Sequence, residues 1–212
     1  MVEGDYQSVM PLPKRKKYGI HYIYQPPWTQ QLGVFSLETI NEFDVLKFVK
    51  KIPKKFRLID IFLNSDNFIS SQRIKMRDNF ILSLDKSYES LQKQYSKGRK
   101  SSCKQAKQYN LELIEGYDHN KIILLFKQNK GSELNKHYSD YLVLAKLFEH
   151  VLQLKHAKTM AVVNSNKELI GGALFLKDNH RITYLFSAIN NEGREKQAMS
   201  FLLDYLIKKM LT

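Results

Sequence analysis

The sequence predicts an α+β fold in which a mixed, mainly antiparallel sheet is flanked by helices. Hydrophobic residues make up 43% of the 212 residues, which is enough apolar material to bury a core. Several segments repeat apolar residues at helical spacing. Near the C-terminus, three strand patterns follow one another with only turn residues between them. Such strands must pair as an antiparallel meander, an order that is unusual for a doubly wound parallel sheet.

The N-terminal part alternates short strands with one helix. Aromatic and β-branched runs bounded by Gly and Pro are typical of strands, and near-helical spacing of apolar residues that stops at Pro53 is typical of a helix. In chain order we expect strands at residues 18–24 and 32–37, a helix at 38–52, and strands at 57–63 and 73–84.

From Asp85 onward the elements follow a different order. Asp85 or Ser87 can cap a short basic helix, and Gly98 is expected to separate that helix from a second one. Turn-forming residues at 164–167 and 177–180 predict two hairpins. We expect helices at residues 87–95 and 98–109, a strand at 111–115, helices at 118–127 and 138–155, strands at 159–163, 168–176 and 182–189, and an amphipathic helix at 192–210.

The chain is strongly basic. It has 34 Lys and Arg against 21 Asp and Glu, which gives a formal net charge of +13. The excess is concentrated in residues 14–17, 47–57 and 86–107. Local positive fields attract phosphate groups and speed encounters with them, so an anionic partner or substrate is expected. The other interpretation is a solvated basic surface without a ligand.

The composition disfavours several classes of protein. A single cysteine, Cys103, can form neither an internal disulfide nor a thiolate cluster for zinc. The six histidines do not fall at metal-ligand spacing, so no metal site is predicted. No apolar run approaches roughly 18 residues, and the N-terminus does not resemble a signal peptide. We therefore expect a soluble, cytoplasmic protein.

The element order from residue 110 onward, β-α-α-β-β-β-α, resembles the GCN5-related N-acetyltransferase (GNAT) fold. The resemblance implies that the helix after the last of these strands presents its N-terminus to a cofactor pyrophosphate, because free amides and the helix dipole attract anions. Gly193, Arg194 and Gln197 would then bind the cofactor; the alternative is an ordinary exposed first helical turn. Gln197 stands where the family pattern has Gly, and its side chain would crowd the pyrophosphate of coenzyme A.

Several short sequence segments carry a closer resemblance to a known family. They are Gln-Pro-Pro-Trp-Thr-Gln-Gln-Leu-Gly-Val-Phe-Ser at residues 25–36, Tyr-Ser-Lys-Gly-Arg-Lys at 95–100, Ile-Gly-Gly-Ala at 170–173, Tyr-Leu-Phe-Ser-Ala at 184–188 and Gly-Arg at 193–194. Together they resemble Fem-type N-acyltransferases, tandem GNAT-fold proteins related to the enzymes that build peptidoglycan cross-bridges. The resemblance implies transfer of an acyl or aminoacyl group to an amine, with aminoacyl-tRNA or acyl-coenzyme A as the donor.

The resemblance also implies two related units. Residues 1–86 would be a partial first GNAT-like unit, residues 87–109 a basic helical bridge, and residues 110–212 a second unit that lacks the usual C-terminal strands. The tandem fold is thus expected to be incomplete at both ends. A homodimer that covers the exposed sheet edges is one way to complete it.

A few side chains are candidates for the chemistry. Tyr184 and Ser187 lie on the strand that would flank the acyl donor, where a hydroxyl could protonate a leaving group or orient the amine; otherwise they are core residues. Arg99, Lys100 and Lys104 could bind a phosphate or carboxylate of tRNA or of a nucleotide-linked precursor. Arg99 is favoured because a guanidinium group can hold an anion through two hydrogen bonds. The alternative is a solvated linker helix.

The sequence leaves open the roles of two further residues and a second possible function. Trp28, which follows two prolines, could line a substrate cleft or serve as a packing anchor. Basic neighbours could lower the pKa of the Cys103 thiol, although no histidine partner is near in sequence. Instead of an enzyme, the chain could be a catalytically degenerate GNAT-fold module that binds nucleic acid or a protein partner.

Overall fold

The computed structural model describes residues 1–71, 74–134 and 137–211. The chain divides into two compact units, Met1–Ile81 and Leu82–Thr212. The finer division into two GNAT-like units joined by a bridge stays a prediction. In chain order the elements of the first unit are β1 (Val2–Glu3), β2 (Ser8–Val9), β3 (Lys14–Lys17), β4 (Ile20–Tyr24), β5 (Phe35–Ser36), α1 (Glu42–Lys50) and β6 (Phe56–Asp60).

The core of the first unit lies between α1 and one face of a three-stranded sheet. The sheet has the order β3-β4-β6, with β3 antiparallel and β6 parallel to β4. Ile23 of β4 packs with Val45 and Phe48 of α1, and all three side chains are buried. Burial of a side chain of this size contributes about 1.5–3 kcal/mol. Strands β1, β2 and β5 form a separate small antiparallel sheet.

Helix α1 begins where Asn41 caps it. Asn41 Oδ1 accepts hydrogen bonds from the amides of Phe43 (2.8 Å) and Asp44 (3.2 Å), and Asp44 Oδ2 accepts one from the Asn41 amide (3.0 Å). These reciprocal bonds satisfy amides that have no partner at a helix start. The helix therefore begins at Glu42 and not at residue 38 as expected.

Two buried asparagines hold the loop around Val34. Asn67 Oδ1 accepts a hydrogen bond from the Val34 amide (2.6 Å), and Asn67 Nδ2 donates to the Val34 carbonyl (2.9 Å) and to Asn64 Oδ1 (2.9 Å). The Asn67 side chain thus pairs with Val34 as a neighbouring strand would. Because Asn67 and Asn64 are both buried, water cannot easily replace either partner.

We predict that Asn67→Ala destabilises the protein by about 1–3 kcal/mol, because it leaves the buried Val34 amide without its partner and leaves the Val34 carbonyl with the bond from Asn64 Nδ2 alone. Urea unfolding measures the change, and Asn79→Ala, at an exposed position of the same unit, is the matched control. The control should change stability by less than about 0.5 kcal/mol. Equal midpoints for the two variants would contradict this role for Asn67.

The second unit has a longer series of elements. They are α2 (Tyr88–Lys93), α3 (Lys97–Ala106), β7 (Glu112–Glu115), α4 (His119–Lys130), a 3₁₀ turn (Gly131–Leu134), α5 (Tyr138–Gln153), β8 (Ala157–Val163), β9 (Leu169–Lys177), β10 (Ile182–Ile189), α6 (Asn191–Glu195) and α7 (Ala198–Met210).

A four-stranded antiparallel sheet of order β10-β9-β8-β7 forms the centre of this unit. Helix α7 packs on the sheet, and α4 and α5 also pack against it. Gly172 of β9 allows the close approach of α4, since a Cβ there would lie 2.9 Å from the Ile122 side chain. In the two hairpin turns, the side chains of Asn164 and Asp178 each accept hydrogen bonds from two backbone amides. The predicted α+β fold, mainly antiparallel and flanked by helices, is confirmed.

The strand expected at residues 73–84 is not formed. Residues 74–84 are neither helix nor strand, and residue 73 lies outside the described part of the chain. Phe80 is 94% exposed and Ile81 is 65% exposed, so the alternating side chains have no buried surface beneath them. A high strand propensity describes how well side chains fit a pleated, half-buried surface; without a neighbouring strand it does not produce one.

Other elements differ in their bounds. Gly98 does not interrupt a helix but lies near the start of α3, because Ser96 caps that helix and accepts a hydrogen bond from the Arg99 amide (3.2 Å). The helix expected at residues 192–210 is divided into α6 and α7 at Gln197, whose φ of 57° is left-handed. Strand β3 was not predicted, since its four basic residues show no apolar alternation.

Candidate active site

An irregularity in β10 brings the two candidate catalytic residues to one face of the sheet. The strand pairing shifts by one residue between Tyr184 and Phe186, so that Leu185 is an extra residue. In a regular strand, side chains three residues apart point to opposite faces. The bulge cancels that alternation for Tyr184 and Ser187, whose pairing partners in β9 are two residues apart and so share a face.

The Tyr184 hydroxyl keeps its proton at neutral pH. Partial burial raises the pKa of Tyr184 above its ordinary value of 10.0. A hydrogen bond with the Ser187 side chain and the positive charge of Arg99 oppose that rise only in part. Since 41% of the residue remains exposed, a ligand can reach the ring from solvent.

Arg99 is directed at α7. Its two terminal nitrogens donate to Ser200 Oγ and to the Ser200 carbonyl, each at 3.4 Å, and the guanidinium carbon lies 5.7 Å from the centre of the Tyr95 ring. Arg99 is half-buried. Arg99, which was expected to be the best anion ligand of the bridge, thus uses its guanidinium group for two hydrogen bonds within the protein. Its positive charge also acts to lower the pKa of Tyr184.

A cavity of about 330 Å³, here called the basic cleft, is lined by residues of α2 and α3 and of the chain that adjoins them. Its lining includes the side chains of Gln92, Tyr95 and Cys103 and four lysines: Lys93, Lys100, Lys104 and Lys107. None of the described residues that line it is acidic, so its field favours an anion. The structure brings the predicted substrate ligands Lys100 and Lys104 together here and leaves Arg99 out of the lining.

Sequence reasoning missed a buried polar cluster between α7 and the two basic helices. Asp204 is 9% exposed, and its Oδ2 accepts a hydrogen bond from the Tyr88 hydroxyl at 2.9 Å. The Tyr95 hydroxyl is buried as well, and burial together with the nearby Asp204 carboxylate raises the pKa of Tyr95 above its ordinary value. Burial and the bond to Asp204 raise the pKa of Tyr88 to about 12. The sequence did contain a signal for this cluster, namely an acidic residue, Asp204, within the otherwise largely apolar run 201–207.

Cys103 lines the basic cleft but is 7% exposed. Burial raises the pKa of its thiol, the negative charge of Asp204 adds to the rise, and Arg99 and Lys107 oppose it to a smaller extent. The expectation that the pKa of this thiol is lowered overall is therefore wrong, because desolvation and Asp204 outweigh the attraction of the basic neighbours for the thiolate. The group is poorly suited to act as a nucleophile.

We predict that Cys103 reacts with iodoacetamide at pH 8 more slowly than free cysteine does, because burial and Asp204 both disfavour the thiolate. Asp204→Asn removes one of the two causes and should speed the reaction; the protein unfolded in urea should match free cysteine. The chain has one cysteine, so the labelled mass reports this site alone. Labelling of the folded protein at the rate of free cysteine would contradict the assignment.

The turn after β10 contains the three residues expected to bind a cofactor. Gly193 is buried, its amide donates to Asn190 Oδ1 (2.8 Å), and a Cβ at this position would collide with the Ile170 carbonyl. Arg194 is exposed, and Gln197 lies at the N-cap position of α7, after the end of the short helix α6. Because the Gly193 amide already donates to the capping side chain of Asn190, it is not free to donate to a phosphate. Cofactor binding by these residues stays a prediction.

Trp28 belongs to the first unit and lies in a turn over residues 26–29. The Thr29 amide donates to the Pro26 carbonyl (3.3 Å), and Gln25 Nε2 donates to the Thr29 carbonyl (2.8 Å). Trp28 itself has a left-handed φ of 64° and is half-buried. Its contact with a substrate stays a prediction.

Two features are absent from the described residues. Within residues 1–71, 74–134 and 137–211, no three His, Cys, Asp or Glu side chains are grouped so as to hold a metal ion. In the same part of the chain, no helix combines the length and the apolar character that crossing a membrane requires.

Comparison with known proteins identifies the fold. No family model matches the chain, and no curated protein matches its sequence. Among solved structures, the crystal structure of FemX is similar with a TM-score of 0.65 and 13% sequence identity, over 98% of this chain and 74% of FemX. At that identity the likeness establishes the fold alone. The chain therefore has a Fem-like, GNAT-like fold, as the sequence predicted.

Proposed function

We propose that this chain is an N-acyltransferase that moves an acyl or aminoacyl group to an amine. The observation that carries the proposal is the bulge at Leu185, which turns Tyr184 and Ser187 to one face of the sheet, within the electrostatic reach of Arg99. Bulges of this kind are found next to active sites because they redirect a side chain. The fold shared with FemX supports the same class of protein.

The reaction needs little covalent chemistry from the protein. The amine nitrogen attacks an activated ester or thioester carbonyl, a C–N bond forms, and the C–O or C–S bond breaks; the nitrogen gives up one proton, to water or to the phenolate that remains once Tyr184 has protonated the leaving group. Tyr184 keeps its proton at neutral pH and can deliver it to the leaving oxygen or sulfur, while Ser187 orients the phenol by a hydrogen bond. Holding the amine beside the carbonyl accounts for much of the acceleration in such reactions.

The basic cleft is the proposed binding region for the anionic part of the donor or acceptor. Lys100 and Lys104 contribute to a lining in which no acidic residue is described. For the donor, aminoacyl-tRNA is favoured over acyl-coenzyme A, because the Gly193 amide is already bonded to Asn190 and Gln197 stands where a glycine would admit a pyrophosphate.

The test is a transfer assay followed by mass spectrometry. The protein is incubated with charged tRNA or acetyl-coenzyme A and a panel of free diamines and lysine-containing peptides. We predict a product with charged tRNA, and a loss of about 100-fold or more in Tyr184→Phe, the usual contribution of a positioned proton donor. Tyr205→Phe is the matched control, since Tyr205 has similar exposure and its hydroxyl bonds only to Glu115 (3.1 Å) among the bonds described.

Two results would contradict the proposal or its donor. Absence of product with both donors would contradict the enzyme and favour the catalytically degenerate binding module. Calorimetric titration with acetyl-coenzyme A should show no saturable micromolar binding. Binding that is lost in Arg194→Ala would instead make coenzyme A the donor carrier.

The pH dependence of transfer gives a separate prediction. The rate should rise with pH as the acceptor amine loses its proton, and it should not fall before about pH 10, because burial holds the pKa of Tyr184 above its ordinary value. A pH–rate profile from 6 to 10 measures this. A descending limb between pH 7 and 9 would show that another group is the proton donor.

A further inference from the structure

The hairpin formed by β3 and β4 has no part in the proposed transfer, yet it concentrates charge on one element. All four residues of β3, Lys14–Lys17, are basic and exposed. The strand is at the edge of its sheet, and of the described strands only β4 pairs with it. Among the described residues, no carboxylate forms an ion pair with any of the four. The hairpin therefore presents positive charge that no ion pair with a described residue neutralises.

The tip of this hairpin carries an aromatic ring at a strained position. Tyr18 and Gly19 form the two-residue turn, with φ values of 49° and 77°. Such a turn favours Asn-Gly, and a bulky residue with positive φ is unfavourable. The Tyr18 side chain is nevertheless 90% exposed, so it does not repay the strain by packing. Strained residues that serve no packing role are found at ligand-binding positions.

Tyrosine rings and cations are interleaved along the hairpin. Arg15 pairs with Tyr22, and its guanidinium carbon lies 4.4 Å from the centre of the Tyr24 ring. The rings of Tyr22 and Tyr24 are 6.0 Å apart. At the tip, Lys17 Nζ lies 5.2 Å from the centre of the Tyr18 ring. Proteins that bind single-stranded nucleic acids combine aromatic rings, on which unpaired bases stack, with basic side chains that attract the phosphates. The hairpin places both kinds of side chain next to one another.

We propose that the β3-β4 hairpin binds single-stranded nucleic acid. The cations of β3 contact phosphates, and bases stack on Tyr18 and on the rings beside Arg15. An anionic membrane is less well matched, because a tip that inserts among lipids carries Trp, Phe or Leu, whereas this tip is Lys17-Tyr18-Gly19. The inference does not depend on acyl transfer, and it is tested with oligonucleotides that carry no acyl group.

The experiment measures fluorescence anisotropy of labelled 20-nucleotide oligouridine and oligodeoxythymidine with the full chain over a series of NaCl concentrations. Four phosphate contacts predict a slope of log K against log salt of about −2.8, since each contributes about −0.7 on a single strand. Changing all four residues of β3 to Gln should lower affinity by about tenfold or more in 50 mM salt and flatten the slope. The matched control removes four exposed lysines from the second unit: Lys121, Lys130, Lys146 and Lys208.

A second variant separates binding from folding. Tyr18→Asn suits the turn better, so thermal stability should be unchanged or higher, while affinity should fall about fivefold or more through loss of the ring. No binding to either oligonucleotide in 50 mM salt would overturn the proposal, as would equal losses in the β3 variant and the control. Binding to phosphatidylserine vesicles without binding to oligonucleotides would assign the hairpin to membranes. A preference between the two oligonucleotides distinguishes RNA from DNA.

Discussion

The second unit depends on helix α7, which is packed on both of its sides. On one side, Ala198, Leu202 and Leu206 lie in the apolar cluster formed with the sheet. On the other side, Ser200 accepts hydrogen bonds from Arg99, and Asp204 accepts one from a tyrosine of α2. The basic helices α2 and α3 are therefore held by the same helix that covers the sheet. A shift of α7 would disturb the core and the basic cleft together.

The candidate site coincides with departures from ideal structure. The bulge at Leu185 gives up regular pairing in β10, and the Asp204 carboxylate is buried beside the hydroxyls of Tyr88 and Tyr95. Each departure costs stability, and natural proteins tend to keep such costs where function requires them. At the same site, burial raises the pKa of the Tyr184 hydroxyl and of the Cys103 thiol above their ordinary values.

The two units present positive charge in different forms. In the second unit, lysines surround a cavity whose lining includes a tyrosine ring and a thiol, which suits a compact anionic group. In the first, the basic residues of β3 form an exposed edge strand beside tyrosines, which suits an extended polyanion. The likeness to FemX extends over 98% of the chain but, at 13% identity, carries no information about these side chains.

The sequence by itself determined the local elements and the charge. Residues 182–189 were expected as a strand and form β10, and the helix expected at 138–155 is Tyr138–Gln153, because periodicity and turn residues are local signals. Only the tertiary structure decided that residues 74–84 stay unpaired, that Tyr184 and Ser187 share a face, and that burial raises the pKa of Cys103. Strand pairing, register and desolvation depend on residues far apart in the chain, and no local pattern contains them.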